Sequence, residues 1–191
     1  MIRRCLEQPV GATAAAAAKH RAVLPRYDTE RLTLRPADLS DFPAWRSLFV
    51  PDADGILGGP HSEEEAWEAF CVYVAGWLLH GHGAWAVELK ETRETAGFVL
   101  LGLEWGDLEP ELGWMLLPEY RGKGIAFEAA SAARAHANAL IGDGGFVSYV
   151  ARENTPSNAL AARLGAHRDT AAEARLSDAR DTHIWRHGGS Q

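Results

Sequence analysis

The stretch that most restricts the fold runs from Glu111 to Ile141. Its first part, Leu112-Gly-Trp-Met-Leu-Leu117, is apolar at nearly every position, as in a strand covered on both faces and interior to its sheet. Pro118 ends that strand. From Ile125 onward, Ile125, Ala129, Ala133, Ala137, Leu140 and Ile141 recur at helical spacing, with alanines that permit close approach to a sheet. Between the two lies the basic turn Arg121-Gly-Lys-Gly-Ile-Ala126. A chain carrying this unit needs an interior strand and a helix-covered sheet face.

The turn is also suited to an anion. Gly122 and Gly124 allow backbone N–H groups to crowd together, and the following helix offers its positive N-terminal end. Other phosphate loops are missing from the sequence: there is no G-x-x-x-x-G-K-[ST], and no G-x-G-x-x-G opens a strand-to-helix unit followed by an acidic residue. Kinase and dinucleotide readings therefore drop away.

The flanking elements follow from periodicity and punctuation. Leu32-Thr-Leu-Arg35 alternates as a half-buried strand and Pro36 closes it; Asp38 or Ser40 then caps a helix reaching about Phe49. After the turn-rich loop from Pro51 to Pro60, Ser62 and Glu65 form a capping box for a helix through about Leu79. Ala84–Leu89 and Ala96–Leu103 form a hairpin around the charged Lys90-Glu-Thr-Arg-Glu94 turn. Phe146–Val150 is a strand, Thr155–Leu164 a helix stopped by Gly165, and Thr182–Arg186 a last strand. The order is β-α-α-β-β-β-α-β-α-β. It predicts an α/β (α+β) domain with a mixed, mostly antiparallel twisted sheet of about six to seven strands and helices on both faces.

With 191 residues and 47% hydrophobic content, one domain over 26–188 is expected, preceded by a flexible extension over 1–25 with an alanine run at Ala14–Ala18. That run is short and approached through Glu7 and Pro9, which argues against a secretory signal. The net charge of −7, from 26 acidic against 19 basic side chains, disfavours nucleic acid and anionic membranes as partners and favours a neutral or cationic acceptor. Cys5 and Cys71 form neither a metal nor a redox spacing, which fits a cytoplasmic protein. His80-Gly-His82 lacks further ligands at suitable spacing, so no metal is expected.

Three separated segments resemble the RimJ/RimL-type branch of the GNAT acyltransferase superfamily. They are Thr29-Glu-Arg-Leu-Thr-Leu-Arg-Pro36, the segment from Glu111-Leu-Gly-Trp114 to Phe127-Glu-Ala-Ala130, and Asn154-Thr-Pro-Ser157 through Leu164-Gly-Ala166. The resemblance spans roughly Tyr27 to Arg186 and implies the GNAT fold with acetyl-CoA as cosubstrate. It implies that Leu116 and Leu117 lie against the pantetheine where the family's fourth and fifth strands splay, one N–H pointing at the thioester oxygen. Arg121, Gly122, Lys123, Gly124, Ile125 and Ala126 would cradle the pyrophosphate, and Asn154 would contact the pantetheine amides. Glu111 is the implied base, the competing reading of it being a strand-edge charge paired with an arginine, and Glu109 is a weaker stand-in.

The chain departs from the family in three places. Arg121 stands where the branch often has tryptophan, Ala166 where it has an aromatic, and Ala161 where many members have a tyrosine acid. Ser157 is the nearest substitute for that acid. Trp45, Trp67, Trp77, Trp85 and Trp105 are expected mostly in the core or pocket wall, with Trp45, Trp67 and the Pro51–Pro60 loop bordering the acceptor cleft. The implied reaction is direct attack on acetyl-CoA by a primary amine, a small molecule or a protein N-terminus, in a ternary complex formed by a monomer or homodimer. The alternative is an acyl-CoA-binding sensor without turnover. An α-amine near pKa 8 is roughly a tenth neutral at pH 7, against about one lysine in a few thousand, which suits an enzyme with a single base to an α-amine.

Overall fold

A computed structural model describes residues 3–51, 59–176 and 181–188. Eight strands form one sheet: β1 (Tyr27–Asp28), β2 (Leu32–Pro36), β3 (Ala84–Leu89), β4 (Thr95–Gly102), β5 (Glu111–Leu116), β6 (Val147–Ala151), β7 (His167–Arg168) and β8 (Thr182–Arg186). Their order across the sheet is β1-β2-β3-β4-β5-β6-β8-β7. Every neighbouring pair is antiparallel except β5 with β6, which is parallel. The helices are α1 (Gly11–Arg21), α2 (Phe42–Phe49), α3 (Glu63–Leu79), α4 (Ile125–Leu140), α5 (Thr155–Arg163) and α6 (Thr170–Glu173).

Two cores lie on opposite faces of the sheet. On one, Ala129, Ala130, Ala133 and Ala137 of α4 meet Leu112 and Leu116 of β5, Trp85 and Val99, so the alanines do bring the helix close. On the other, Trp45 and Phe49 of α2 and Phe70 and Tyr73 of α3 cover Ala86, Phe98 and Leu100. The Ser62–Glu65 capping box opens α3 as read from the sequence: Glu65 N–H donates to Ser62 Oγ at 3.2 Å, and Ser62 N–H donates to Glu65 Oε2 at 2.7 Å. β1, β7 and α6 were not anticipated, because pieces of two to four residues are too short to show a period. They raise the strand number from the expected six or seven to eight.

The first 25 residues carry a 3-10 turn at Arg4–Leu6 and α1, none of whose residues is buried. Two tryptophan expectations need correction. Trp105, in the connection between β4 and β5, is fully exposed. Trp45 is completely buried, its indole N–H donating to Ala66 O at 3.0 Å, so it is core and not cleft wall. Of the Pro51–Pro60 loop, residues 52–58 lie outside the described residues.

Arg35 of β2 ties three elements together. Its guanidinium donates to both carboxylate oxygens of Asp41 at 2.7 and 2.8 Å, and to Glu88 Oε2 of β3 at 2.8 Å, while both acids are almost wholly buried. Removing the cation leaves the buried Asp41 carboxylate without its cation and Glu88 with Arg93 alone, at 2.9 Å. Arg35→Met is therefore expected to cost about 3–5 kcal/mol, measurable by urea unfolding.

Candidate active site

The sheet opens between β5 and β6. Among the described residues the two strands are in register at one position, Glu111 opposite Val147, with Val147 N–H donating to Pro110 O at 2.9 Å. On its other edge β5 is paired with β4 along its whole length, from Glu111 opposite Gly102 to Leu116 opposite Gly97. Leu117 N–H donates to Ala96 O at 3.0 Å. Bonded residues alternate in an antiparallel ladder, so Leu116 and Trp114 turn their main-chain groups away from β4 and into the gap. Arg121 reaches back to the same edge, its Nε donating to Leu116 O at 3.0 Å.

These bonds divide the roles read from the sequence. Leu116 presents its backbone to the gap, whereas the Leu117 N–H is already committed and is not available to a thioester oxygen. Trp114, for which the sequence offers no role, shares the Leu116 orientation. Its indole N–H donates across the gap to Ser157 Oγ of α5 at 3.3 Å. The signal was legible in principle, since Trp114 and Leu116 are two residues apart on one strand.

The basic turn lies at the wide end of the gap. Gly122 and Gly124 have φ of 72° and 76°, left-handed values that favour glycine. Gly124 is the residue preceding α4, and no side chain caps that end of the helix. The first bond found within the helix runs from Glu128 N–H to Gly124 O at 3.1 Å, so the N–H groups of Gly124, Ile125, Ala126 and Phe127 have no intrahelical acceptor. Together with the helix dipole they make a site for negative charge. Lys123 is exposed and rests its ammonium 5.6 Å from the Tyr120 ring centroid.

A brace from the start of the domain holds this turn. Arg31 Nε donates to Glu128 Oε2 at 2.7 Å, Arg31 N–H to Glu128 Oε1 at 2.8 Å, and Arg31 Nη1 to Lys123 O at 3.0 Å, while the Thr29 hydroxyl also donates to Glu128. Burial opposes ionisation of Glu128, yet these donors hold its carboxyl below the usual range. The Glu30-Arg-Leu and Phe127-Glu segments, far apart in sequence, thus form one structural unit. Beside it runs a groove of about 520 Å³ lined by Thr29, Arg31, Gly124, Phe127, Ser131 and Arg163, where the Arg163 guanidinium lies 3.9 Å from the Phe127 ring centroid.

Glu111 stands at the narrow end of the gap. Met115 and Leu117 pack with the core under α2 and α3, so alternation places the half-buried Glu111 on the same face. Burial, then the charges of Glu111 and Glu104, push the Tyr73 hydroxyl of α3 well above its ordinary pKa. Glu109 is different: Arg186 donates to both of its oxygens at 2.8 Å, and Arg175 approaches at 3.3 Å. Those bonds outweigh its burial and hold the carboxyl below its ordinary pKa, which makes Glu109 a poor proton acceptor.

A depressed folded pKa contributes stability above the unfolded value of about 4.3, lost as pH falls through the folded one. The stability difference between wild type and Arg186→Met is expected to be complete at pH 7 and to shrink below about pH 4, by urea unfolding across that range.

Asn154 caps α5, its Oδ1 accepting from Ser157 N–H at 3.1 Å. The amide nitrogen and the second lone pair of Oδ1 are left for a ligand contact. Tyr120 donates to Glu94 at 3.0 Å, and the Tyr149 hydroxyl accepts from the N–H groups of Leu108 and Glu109 at 3.2 and 3.1 Å, so both tyrosines are engaged with loops. Among the described residues no three His, Cys, Asp or Glu side chains form a metal cluster, and no helix is long and apolar enough to cross a membrane.

The chain is similar to known proteins. The family described as acetyltransferase (GNAT) domain matches residues 31–167. An acetyltransferase from Agrobacterium tumefaciens is 37% identical over 87% of this chain and 95% of its own, with a TM-score of 0.79. An acetyltransferase from Salmonella typhimurium that modifies the N-terminal serine of ribosomal protein L7/L12 is 22% identical over 85% of this chain and 97% of its own, TM-score 0.64. A RimL ribosomal L7/L12 α-N-protein acetyltransferase in complex with coenzyme A is 19% identical over 86% and 97%, TM-score 0.63. The last two likenesses speak for the fold.

Proposed function

The chain belongs to the GNAT acetyltransferase family, and from that premise we propose that it is an N-acetyltransferase using acetyl-CoA and a primary amine. The observation that carries the reading is the gap beyond the Glu111–Val147 pair, which leads to the uncapped, glycine-led start of α4. An extended chain ending in a pyrophosphate matches that combination of strand edge and anion site. The family's acetyl-CoA supplies an activated acyl group and a thiolate leaving group there. Residues 26–188 make up the catalytic domain in this reading, with 1–25 as an extension.

The roles follow from position. The N–H groups of Gly124 to Phe127 and the Lys123 ammonium receive the pyrophosphate, with the Phe127–Arg163 groove beside them for the nucleotide end. Leu116 and the amide of Asn154 hold the pantetheine. Leu116 lies five residue steps along the strand from Glu111, roughly 17 Å, so the reacting carbonyl lies nearer the start of β5 than Leu116 does. The Trp114 N–H is then the donor for the developing oxyanion.

Glu111, on the α3 face, takes the proton from the attacking amine. Ser157 protonates the departing sulfur, and the bond from the Trp114 indole leaves the Ser157 hydroxyl hydrogen free to be donated. The acceptor is a small-molecule amine or a protein N-terminus approaching past Glu111, Tyr73 and Glu104, where the negative field favours a cation. A thiol-release assay with acetyl-CoA and a panel of peptide N-termini, polyamines and amino acids tests this. Acetylated product is expected with at least one α-amine or polyamine; tight binding of acetyl-CoA without thiol release on any amine would contradict it.

A further inference from the structure

The ladder between β5 and β6 stops at an identifiable group. Val147 N–H donates to Pro110 O at 2.9 Å, and in a continued parallel ladder the next donor on that edge is Tyr149 N–H, directed to Leu112 O. His187 N–H donates to Phe146 O on the opposite edge of β6, so alternation turns the main-chain groups of Val147 and Tyr149 toward β5. Leu112 O is instead taken by the side-chain hydroxyl of Ser148.

Ser148 does not act alone. His187 Nε2 lies 2.8 Å from the same hydroxyl oxygen. A carbonyl can only accept, so the Ser148 proton goes to Leu112 O and His187 donates from Nε2. The other ring nitrogen, Nδ1, is buried without a hydrogen-bond partner among the described residues, as suits an unprotonated nitrogen better than an orphaned N–H. Burial, aided by Arg134, pushes the His187 pKa down to about 4, so the ring is neutral near pH 7. It stacks on Phe146 with centroids 5.3 Å apart, and both His187 and Ser148 are essentially fully buried.

We infer that Ser148 is a positioning residue: held by His187, its hydroxyl satisfies Leu112 O in place of the Tyr149 N–H and so keeps β5 and β6 apart where the gap begins. Its bearing on catalysis rests on reading that gap as the acetyl-CoA slot. Without the hydroxyl, Leu112 O is left with the Tyr149 N–H as the facing donor, and the ladder closes by one rung beside Trp114.

The test combines exchange and kinetics on the full chain. In ligand-free Ser148→Ala, hydrogen exchange at the Tyr149 amide is expected to slow by about ten-fold, as one added backbone bond implies. The acetyl-CoA KM is expected to rise about ten-fold with kcat little changed, and Ser148→Thr, which keeps the hydroxyl, is expected to restore both. Unchanged or faster Tyr149 exchange in Ser148→Ala, or a threonine variant as impaired as the alanine one, would overturn the inference. If Ser148→Ala does not fold, Ser148→Cys gives the same contrast with threonine, because a thiol donates weakly. If acetyl-CoA binds wild type elsewhere, the slot reading fails while the exchange result still decides the role of Ser148.

Discussion

Gly124→Val is expected to raise the acetyl-CoA KM on the order of 100-fold while leaving the fold intact. Gly124 sits at φ 76°, immediately before α4. A β-branched residue there costs on the order of 1–3 kcal/mol of backbone strain, which the chain relieves by leaving the left-handed region and turning the converging N–H groups apart. The lost anion contacts add to the strain. A Cβ at Gly124 lies 3.5 Å from Arg31 Nη2, an ordinary contact, so steric exclusion of the brace is not the cause. Gly124→Asn separates the two explanations: asparagine tolerates the left-handed region, and binding is expected within about ten-fold of wild type. Calorimetric titration with acetyl-CoA, alongside a circular dichroism spectrum of each variant, measures both.

Glu111→Gln is expected to lower kcat/KM for the amine by about 100-fold, within the range for a general base, without weakening acetyl-CoA binding. Glutamine keeps the size and the strand pairing while removing the proton acceptor. The pH profile carries the sign: as pH rises toward the α-amine pKa of about 8, more acceptor is already neutral and the defect shrinks. A loss equal at all pH values would instead make Glu111 a binding or structural carboxylate. Glu109→Gln, which breaks an ion pair with Arg186, is expected to lower stability more than turnover.

Periodicity and punctuation were enough to read the long elements. The Ser62–Glu65 box, the alanine face of α4 and the hairpin of β3 and β4 lie within a residue or two of where the pattern puts them, because each is specified by its own local sequence. The glycine-led turn before α4 was legible for the same reason, with Gly122 and Gly124 in the left-handed region. What the sequence did not show depends on contacts between distant segments. Glu128 is the partner of Arg31, 97 residues away in sequence. The bond from Arg121 Nε to Leu116 O follows from the turn folding back on β5. Ser148 and His187 lie on different strands, and only the sheet order brings them together. The ion pair that holds Glu109 likewise comes from Arg186, which no spacing rule links to it.

In the proposed function acetyl-CoA lies along the open edge of β5 and ends on the N-terminus of α4. Titrating the isotope-labelled protein with acetyl-CoA while following backbone amide resonances tests it directly. The largest shifts are expected at Trp114 and Leu116 and at Gly124 through Phe127, with Leu117, whose N–H is bonded to Ala96, shifting less. Shifts that left both groups unmoved, or that clustered on another face of the sheet, would contradict the claim.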